Sequence, residues 1–192
     1  MSEKKQIIPK SVWGPKGWHL LHSFSIYPKE EILENQKHEY YLFYKTFMYV
    51  IPCRICKIHY KDIMEIIEPL DEKKINRKYL KKWVWKIHNI VNGRLNKKKI
   101  EYKKAMDLQK NINNNDIFYF MNHVFFTIDY KNCCISDFDH LYHFFYIFGK
   151  LYPDLQVRNK LLPLIISEEY SNLSSPNQFK EWYIKNYKKW QE

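Results

Sequence analysis

The segment from Asn76 to Asn96 carries the clearest periodic pattern in the chain and most constrains its fold. Its apolar side chains recur every three or four residues and fall within about 120° of arc at 100° per residue, as on an amphipathic helix. Only four glycines occur in 192 residues, whereas folds rich in strands and tight turns need more. The sequence therefore predicts an all-α protein. The apolar stripe consists of Leu80, Trp83, Val84, Ile87, Val91 and Leu95.

Proline and asparagine residues divide the rest of the chain into further helical blocks. The Asn-rich stretch "KNINNND" is the best candidate for a linker, and aromatic helices of a second unit follow it. All the motifs described below precede this stretch, so we expect the first unit to fold on its own. The other predicted helices in that unit run approximately over 11–27, 31–49, 53–67 and 101–109. The predicted organisation is a tail at 1–9, a first domain at 10–109, a linker at 110–116 and a helical C-terminal domain of unassigned role at 117–192.

The chain is basic, with 32 Lys and Arg against 21 Asp and Glu and a formal charge of +11. Such a balance suits nucleic acid, anionic lipid or acidic partners. The lysines are scattered among Asn, Ile and Tyr, the bias that an AT-rich genome produces, so a solvated basic surface is favoured over nucleic-acid binding. No apolar run approaches the ~20 residues needed to cross a bilayer, and "MSEKKQIIPK" is not a secretory signal. We expect no membrane span and a cytoplasmic origin, where structural disulfides are uncommon.

The stretch "IPCRICKIHY" contains a Cys-x-x-Cys pair, Cys53 and Cys56, with His59 close behind. These three side chains could bind zinc, but a structural site needs a fourth ligand, and the other cysteines, Cys133 and Cys134, are adjacent to each other beyond the predicted linker. The metal prediction is therefore none. A thioredoxin-like motif would follow a strand, whereas a helical block precedes this pair. The third interpretation is a redox-active dithiol at the N-terminus of a helix. Unpaired backbone N–H groups and the helix dipole favour a thiolate at that position.

A redox dithiol needs an electron acceptor, and two further stretches suggest a cofactor pocket. "KSVWGPKGWHLLH" places Gly14, Trp18 and His22 at intervals of four residues on one helical face. "WVWKIHNIVNGRLNK" places His88 and Asn92 four residues apart beside the apolar stripe. Each stretch alone is also typical of a helical core, so the interpretation depends on the three blocks occurring together.

Together the three blocks resemble the Erv/ALR family of FAD-linked sulfhydryl oxidases. The family pattern runs W-G-x-x-x-W-x-x-L-H, then Y-P-C-x-x-C, then W-x-C-x-x-H-N-x-V-N-x-x-L-x-K. The same order and spacing extend here from about Lys10 to Tyr102, roughly half the chain. The matching residues are Trp13, Gly14, Trp18, Leu21, His22, Pro52, Cys53, Cys56, Trp83, His88, Asn89, Val91, Asn92, Leu95 and Lys97.

The resemblance implies a four-helix bundle with a short fifth helix, FAD at the mouth of the bundle, and a homodimer. It also implies that thiols of protein substrates are oxidised to disulfides while molecular oxygen is reduced to hydrogen peroxide. Cys56 would be the sulfur next to the flavin, and Cys53 the sulfur that exchanges with the substrate. The implied cofactor-binding residues are Lys10, Trp13, Gly14, Trp18, His22, Trp85, His88, Asn89, Val91, Asn92, Leu95, Lys97, Lys98 and Tyr102.

The chain departs from the family pattern at two places. Ile51 stands where the family has a tyrosine, and Trp85 and Tyr102 stand where it has a second disulfide. Closing a loop of about 17 residues stabilises a fold by roughly 3 kcal/mol in the chain-entropy account. An aromatic pair contributes ~0.5–1.5 kcal/mol beyond its burial. We therefore expect Trp85 and Tyr102 to pack together, as suits a protein made in a reducing compartment.

Many family members carry a second, shuttle pair of cysteines, for which Cys133 and Cys134 are the candidates. Two ordinary thiols are the favoured interpretation, because a disulfide between adjacent cysteines is strained. Members without a targeting tail are often encoded by large cytoplasmic DNA viruses. The expected location is the cytoplasm of an infected host cell, extending to the virion, with the mitochondrial intermembrane space as the alternative.

Two other functions stay open at this point. One is a zinc-binding, basic nucleic-acid-binding protein that uses Cys53, Cys56 and His59. The other is a scaffold that keeps the fold and has lost catalysis.

Overall fold

The computed structural model describes residues 9–27, 31–108, 111–127 and 135–191. Within these ranges the chain is helical and contains no strand, which confirms the all-α prediction. Two 3₁₀ turns and one π turn occur at Phe47–Val50, Glu72–Lys74 and Ile63–Ile67. The α-helices are α1 (Lys10–Ile26), α2 (Glu34–Thr46), α3 (Arg54–Asp62), α4 (Arg77–Arg94), α5 (Tyr102–Asp107), α6 (Asn114–Thr127), α7 (Ile135–Leu151), α8 (Leu155–Ile165), α9 (Glu168–Ser171) and α10 (Pro176–Gln191).

Both ends of α4 are fixed by asparagines. Asn76 is the N-cap, and its Oδ1 accepts the backbone N–H of Tyr79 at 2.9 Å. At the other end Asn96 adopts a left-handed backbone with φ of 53°. The N–H groups of Lys97 and Asn96 then bond back to the carbonyls of Asn92 and Gly93, a Schellman ending. The predicted helix from Asn76 to Asn96 differs from the observed one only at these caps.

The face of α4 that carries the apolar stripe packs against α1. Its residues Leu80, Trp83, Val84 and Ile87 are buried, and the indole N–H of Trp83 donates to the carbonyl of Glu68 at 2.9 Å. The stripe becomes exposed towards the C-terminal end of the helix. That end of α4 is therefore open to ligands or solvent.

α1 also packs against α6, and α7 packs against α2. Phe120 on α6 lies over Gly17 on α1, where an added Cβ would come within 3.0 Å of the ring. The two helices can approach this closely because Gly17 has no side chain. Phe24 on α1 stacks on Phe148 on α7 with ring centroids 5.5 Å apart.

These contacts connect the two units that the sequence predicts. α6 begins at Asn114, inside the predicted linker 110–116. The backbone N–H of Asn113 donates to Nε2 of the buried His19 on α1 at 2.8 Å. Helices from both predicted units contribute to one apolar cluster. The two-domain division stays a prediction, for which truncation of the chain is the test.

Most of the predicted tail 1–9 and both candidate shuttle residues, Cys133 and Cys134, lie outside the described residues. No described helix is both long enough and apolar enough to cross a bilayer.

Candidate active site

Cys53 and Cys56 are joined by a disulfide at the N-terminal end of α3, with Cα atoms 5.2 Å apart. Cys53 is the N-cap residue, and its Sγ accepts the backbone N–H of Cys56 at 3.3 Å. Both side chains are half-buried. When the disulfide is reduced, a thiolate at Cys53 can keep this hydrogen bond at the positive end of the helix dipole. The local structure therefore favours a reactive sulfur at Cys53.

α3 is held in place from two sides. The buried hydroxyl of Tyr60 donates to the carbonyl of Tyr44 on α2 at 2.9 Å, and the Tyr60 ring contacts Phe47. Burial raises the pKa of Tyr60 well above its usual value, so this hydroxyl stays a donor. On the other side, Nη1 of Arg94 donates to the carbonyl of His59 at 3.4 Å. These contacts fix the helix that carries the disulfide to α2 and to the end of α4.

The zinc hypothesis requires free sulfurs and a nearby imidazole. The two sulfurs are bonded to each other, and the side chain of His59 is exposed. In the part of the chain that the structure describes, no group of three or more His, Cys, Asp or Glu residues is arranged to hold a metal ion.

Three predicted cofactor residues form one aromatic cluster between α1 and α4. The ring of Trp18 stacks on that of His88, with centroids 4.1 Å apart and an interplanar angle of 6°. Nε2 of His22 lies 3.1 Å from Nδ1 of His88, within hydrogen-bond distance. The i, i+4 spacing on α1 that predicted a common face for Trp18 and His22 thus brings both rings to the same residue of α4.

Both imidazoles of this cluster are neutral at pH 7. His22 is 1% exposed, and burial, with smaller contributions from His88 and His19, lowers its pKa to about 3. Burial and the ammonium of Lys97 lower the pKa of His88 to about 4. Nδ1 of His22 is buried and has no hydrogen-bond partner among the described residues. A polar atom of a bound ligand would satisfy it.

The other predicted cofactor residues lie on α1, on α4 or just beyond α4. Gly14 has open space beside its Cα, since an added Cβ would meet no atom within 4 Å. Trp13 is instead buried against Phe120, with ring centroids 6.4 Å apart. The remaining residues of this group are the exposed Lys10, the half-buried Val91, the buried Asn92, and the exposed Leu95, Lys97 and Lys98.

The predicted contact between Trp85 and Tyr102 is confirmed, with ring centroids 5.6 Å apart in a T-shaped arrangement. The backbone of Ile100 is a third partner, which the sequence pattern does not predict. Its carbonyl accepts the indole N–H of Trp85 at 2.7 Å and the amide of Asn89 at 2.9 Å. Its N–H donates to Oδ1 of Asn89 at 2.8 Å. We call these four residues the Ile100 clamp. It fastens the chain after α4 to that helix, where the family pattern has a disulfide.

The clamp bears on the predicted cofactor roles of Trp85 and Asn89. Both polar groups of the Asn89 amide and the indole N–H of Trp85 already bond to Ile100. Of these groups, only the face of the Trp85 ring can still contact a ligand without breaking a hydrogen bond to Ile100. The cofactor roles of both residues stay predictions.

His19, a buried imidazole on α1, is a further residue beside this cluster that the family pattern does not include. Its charge interaction with His22 helps to keep that ring neutral. The signal that could have found it is its position, three residues before His22 on the same helix.

The residues of the cluster fit FAD in their chemistry. The half-buried rings of Trp18 and His88 offer faces for a flat ring system, and the unpartnered Nδ1 of His22 can bond to one of its polar atoms. The exposed side chains of Lys97 and Lys98, which follow α4, can pair with phosphate oxygens.

The helical fold and the Cys-x-x-Cys disulfide define the class of all-helical thiol–disulfide proteins. Sequence comparison gives the family: the profile of the Erv1/Alr family matches residues 15–113, and the chain belongs to that family.

Similar curated proteins come from viruses. The chain is 35% identical over 95 residues to the probable FAD-linked sulfhydryl oxidase of Acanthamoeba polyphaga mimivirus, a match that covers 50% of this chain and 66% of that protein. It is 31% and 30% identical over 96 residues to the FAD-linked sulfhydryl oxidases of two African swine fever virus isolates, covering 50% of this chain and 78% of each relative. The chain thus spans slightly less than two thirds of the mimivirus relative. No solved structure gives a significant match.

Proposed function

We propose that the protein is an FAD-dependent thiol oxidase that forms disulfides in protein substrates. The observation that carries this proposal is the Cys53–Cys56 disulfide at the start of α3 in a chain of the Erv1/Alr family. The viral relatives are named FAD-linked sulfhydryl oxidases, which supports both the activity and the cofactor.

The reaction begins with thiol–disulfide exchange at Cys53. A substrate thiolate attacks Sγ of Cys53, the Cys53–Cys56 bond breaks, and Cys56 leaves as a thiolate. The second substrate thiol loses its proton and attacks the substrate sulfur of the mixed disulfide, which releases Cys53. The substrate gives up two electrons and two protons, and the cysteine pair is reduced. The backbone N–H that bonds to Cys53 stabilises the thiolate that leaves in this last step.

When bound, FAD would supply the acceptor for the two electrons of the reduced pair, with molecular oxygen as the final acceptor and hydrogen peroxide as the product. The rings of Trp18 and His88 would hold the flat part of FAD, and His22 would supply a neutral nitrogen to it. Lys97 and Lys98 would neutralise its phosphates. Cys56 is the sulfur assigned to the cofactor and Cys53 the sulfur assigned to the substrate.

The partners and location follow from the same proposal. Thiol-containing proteins are the substrates, oxygen is the final acceptor, and two copies of the chain form a homodimer. Cys133 and Cys134 stay a proposed shuttle pair. The protein acts in the cytoplasm of an infected host cell and in the virion, for which the viral origin of the relatives is the support.

Absorbance and oxygen uptake of the purified protein test the proposal. We expect a yellow protein with flavin absorbance that consumes oxygen in the presence of dithiothreitol. A yellow protein without uptake would establish the inactive scaffold. A colourless protein that carries zinc and binds DNA with a steep salt dependence would establish the nucleic-acid-binding alternative.

A further inference from the structure

The aromatic ring of Tyr49 lies between a side chain of α7 and a side chain of α3. The imidazole of His140 on α7 stacks on this ring, with centroids 4.1 Å apart and an interplanar angle of 20°. The ammonium of Lys57 on α3 lies over the same ring, 4.6 Å from its centroid. Because an imidazole already covers one face of the ring, an ammonium at this distance must lie over the opposite face. We call Tyr49, Lys57 and His140 the Tyr49 sandwich.

The two residues at the ends of the Tyr49–Lys57 contact flank the redox pair in the sequence. Tyr49 comes four residues before Cys53, and Lys57 comes directly after Cys56. The N–H of Lys57 also donates to the carbonyl of Cys53 at 2.9 Å, within the first turns of α3. The contact between Tyr49 and Lys57 therefore closes a short loop of chain that contains both sulfurs.

α7 supports this loop from the C-terminal unit. It packs on the 3₁₀ turn Phe47–Val50, and that turn packs on α3. The rings of Phe144 on α7 and Phe47 have centroids 6.1 Å apart, and those of Phe47 and Tyr60 on α3 have centroids 5.5 Å apart. All three side chains of the Tyr49 sandwich are half-buried. The first turns of α7 are thus connected, through single rings of the 3₁₀ turn, to the helix that carries the disulfide.

We propose that the Tyr49 sandwich is a positioning device for the redox pair, through which α7 keeps the sulfurs of Cys53 and Cys56 close together after the disulfide is reduced. Closing a loop restricts the conformations of the chain inside it. Two thiols that are held near each other form their disulfide more readily, because their effective concentration is higher. The sandwich therefore makes the disulfide harder to reduce. The consequence for turnover rests on the proposed oxidase function, whereas the redox equilibrium of the pair does not.

The equilibrium of the purified full-length protein with glutathione, measured without oxygen, tests this proposal. Two glutathione thiols pass two electrons and two protons to the pair, the Cys53–Cys56 bond breaks, and glutathione disulfide forms. Acid quenching, alkylation and mass spectrometry of the peptide that holds both cysteines give the reduced fraction. We expect Tyr49→Leu to shift the equilibrium towards the reduced pair by about two- to fivefold, the fold-change that corresponds to an exposed cation–π contact. Tyr49→Phe keeps the ring and should keep the wild-type value.

Variants on α7 locate the origin of the effect. His140→Ala removes one half of the sandwich and should shift the equilibrium in the same direction as Tyr49→Leu, by a smaller factor. His140→Phe restores a ring at this position and should restore the wild-type value. Tyr142→Ala is the matched control, because it removes another half-buried ring of α7, which stacks on Tyr170 at 4.5 Å. We expect this control to lower the melting temperature and to leave the glutathione equilibrium unchanged.

Melting temperatures of the same variants separate positioning from general stability. A lower melting temperature with an unchanged glutathione equilibrium in Tyr49→Leu would overturn the proposal, because the sandwich would then only stabilise the fold. An equal shift in Tyr142→Ala would also contradict it, since any loss of stability would then loosen the pair. If Tyr49→Leu shifts the equilibrium and His140→Ala does not, the role of α7 is wrong. Oxygen uptake with dithiothreitol is a separate measurement, and its absence in the wild type would refute the oxidase function without affecting the glutathione test.

Discussion

Nε2 of His22 lies 3.1 Å from Nδ1 of His88, which joins α1 to α4 through two imidazoles. One nitrogen must donate and the other must accept, so this hydrogen bond exists only while at least one of the facing nitrogens lacks a proton. The ring of Trp18 stacks on His88 and covers one face of that imidazole. The junction of the two helices therefore depends on at least one of the two histidines staying neutral.

The stability of the protein should fall as the solution becomes acidic. The folded pKa of His22 is about 3 and that of His88 about 4, both below the unfolded value of 6.5. As the pH falls below about 6.5, the unfolded chain takes up protons that the folded chain does not, so the free energy of unfolding decreases. It continues to decrease until the folded pKa values are reached. Melting temperatures recorded between pH 7 and pH 4 measure this decrease.

A pair of variants assigns this pH dependence to the cluster. In His22→Gln the steepest part of the decrease should be lost, although the variant is less stable at pH 7. His59→Gln, at an exposed site, should keep the wild-type slope. If the slopes of both variants equal that of the wild type, other groups cause the acid sensitivity.

The helices of the first hundred residues could be predicted because their signals are local. The apolar period and two asparagine caps define α4, and the spacing of Trp18 and His22 places both on one side of α1. The Ile100 clamp could not be predicted, because its central partner is a backbone group. Residue type does not encode where a backbone carbonyl lies in space. The contact of α6 with Gly17 was missed for a related reason: an Asn-rich stretch predicts a loop locally and carries no signal of the tertiary contact that follows it.

The Ile100 clamp should stabilise the protein mainly through its hydrogen bonds. Asn89→Ala leaves the N–H of Ile100 without its partner, which costs about 1–3 kcal/mol. Tyr102→Ala removes a half-exposed aromatic contact and should cost less, about 0.5–1.5 kcal/mol beyond the lost burial. Urea unfolding measures both, and Tyr102→Phe, which keeps the ring, should behave like the wild type. A larger loss for Tyr102→Ala than for Asn89→Ala would show that the aromatic pair is the main fastening.

We expect chains truncated before residue 110 to aggregate or fail to fold. The position of the motifs predicts that the first domain folds alone, but α6 and α7 cover α1 and α2 with large aromatic rings. Removing them exposes Phe24, Gly17 and the apolar surface around them. Size-exclusion chromatography and circular dichroism measure the outcome. A monomeric, helical and yellow product would establish two independent domains.

A point substitution in the full chain tests the same packing. Phe144 on α7 is buried and stacks on Phe43 on α2 at 5.5 Å. Phe144→Ala should destabilise the protein by about 3–5 kcal/mol, the range for buried Phe→Ala changes. Phe126→Ala, at a ring that is 40% exposed, should cost clearly less. Equal small losses would mean that α7 contributes little to the stability of the first helices.

Substitution of the two cysteines one at a time should separate their roles. In Cys53→Ser the sulfur of Cys56 has no disulfide partner, and as the proposed neighbour of the flavin its thiolate can donate charge to the oxidised ring. This variant should show a broad long-wavelength absorbance band that fades as acid protonates the thiolate. Cys56→Ser should bind FAD equally well and lack the band, because Cys53, at the N-cap of α3, is assigned to the substrate side.

Both cysteine variants should lose nearly all thiol-dependent oxygen uptake, since neither can form the internal disulfide that the substrate reduces. Equal flavin content in the two purified variants is the control that separates lost chemistry from lost cofactor. A band in Cys56→Ser and none in Cys53→Ser would reverse the two roles. Wild-type uptake by either variant would show that electrons reach the flavin without the Cys53–Cys56 disulfide, and the assignment of this pair as the redox centre would be wrong.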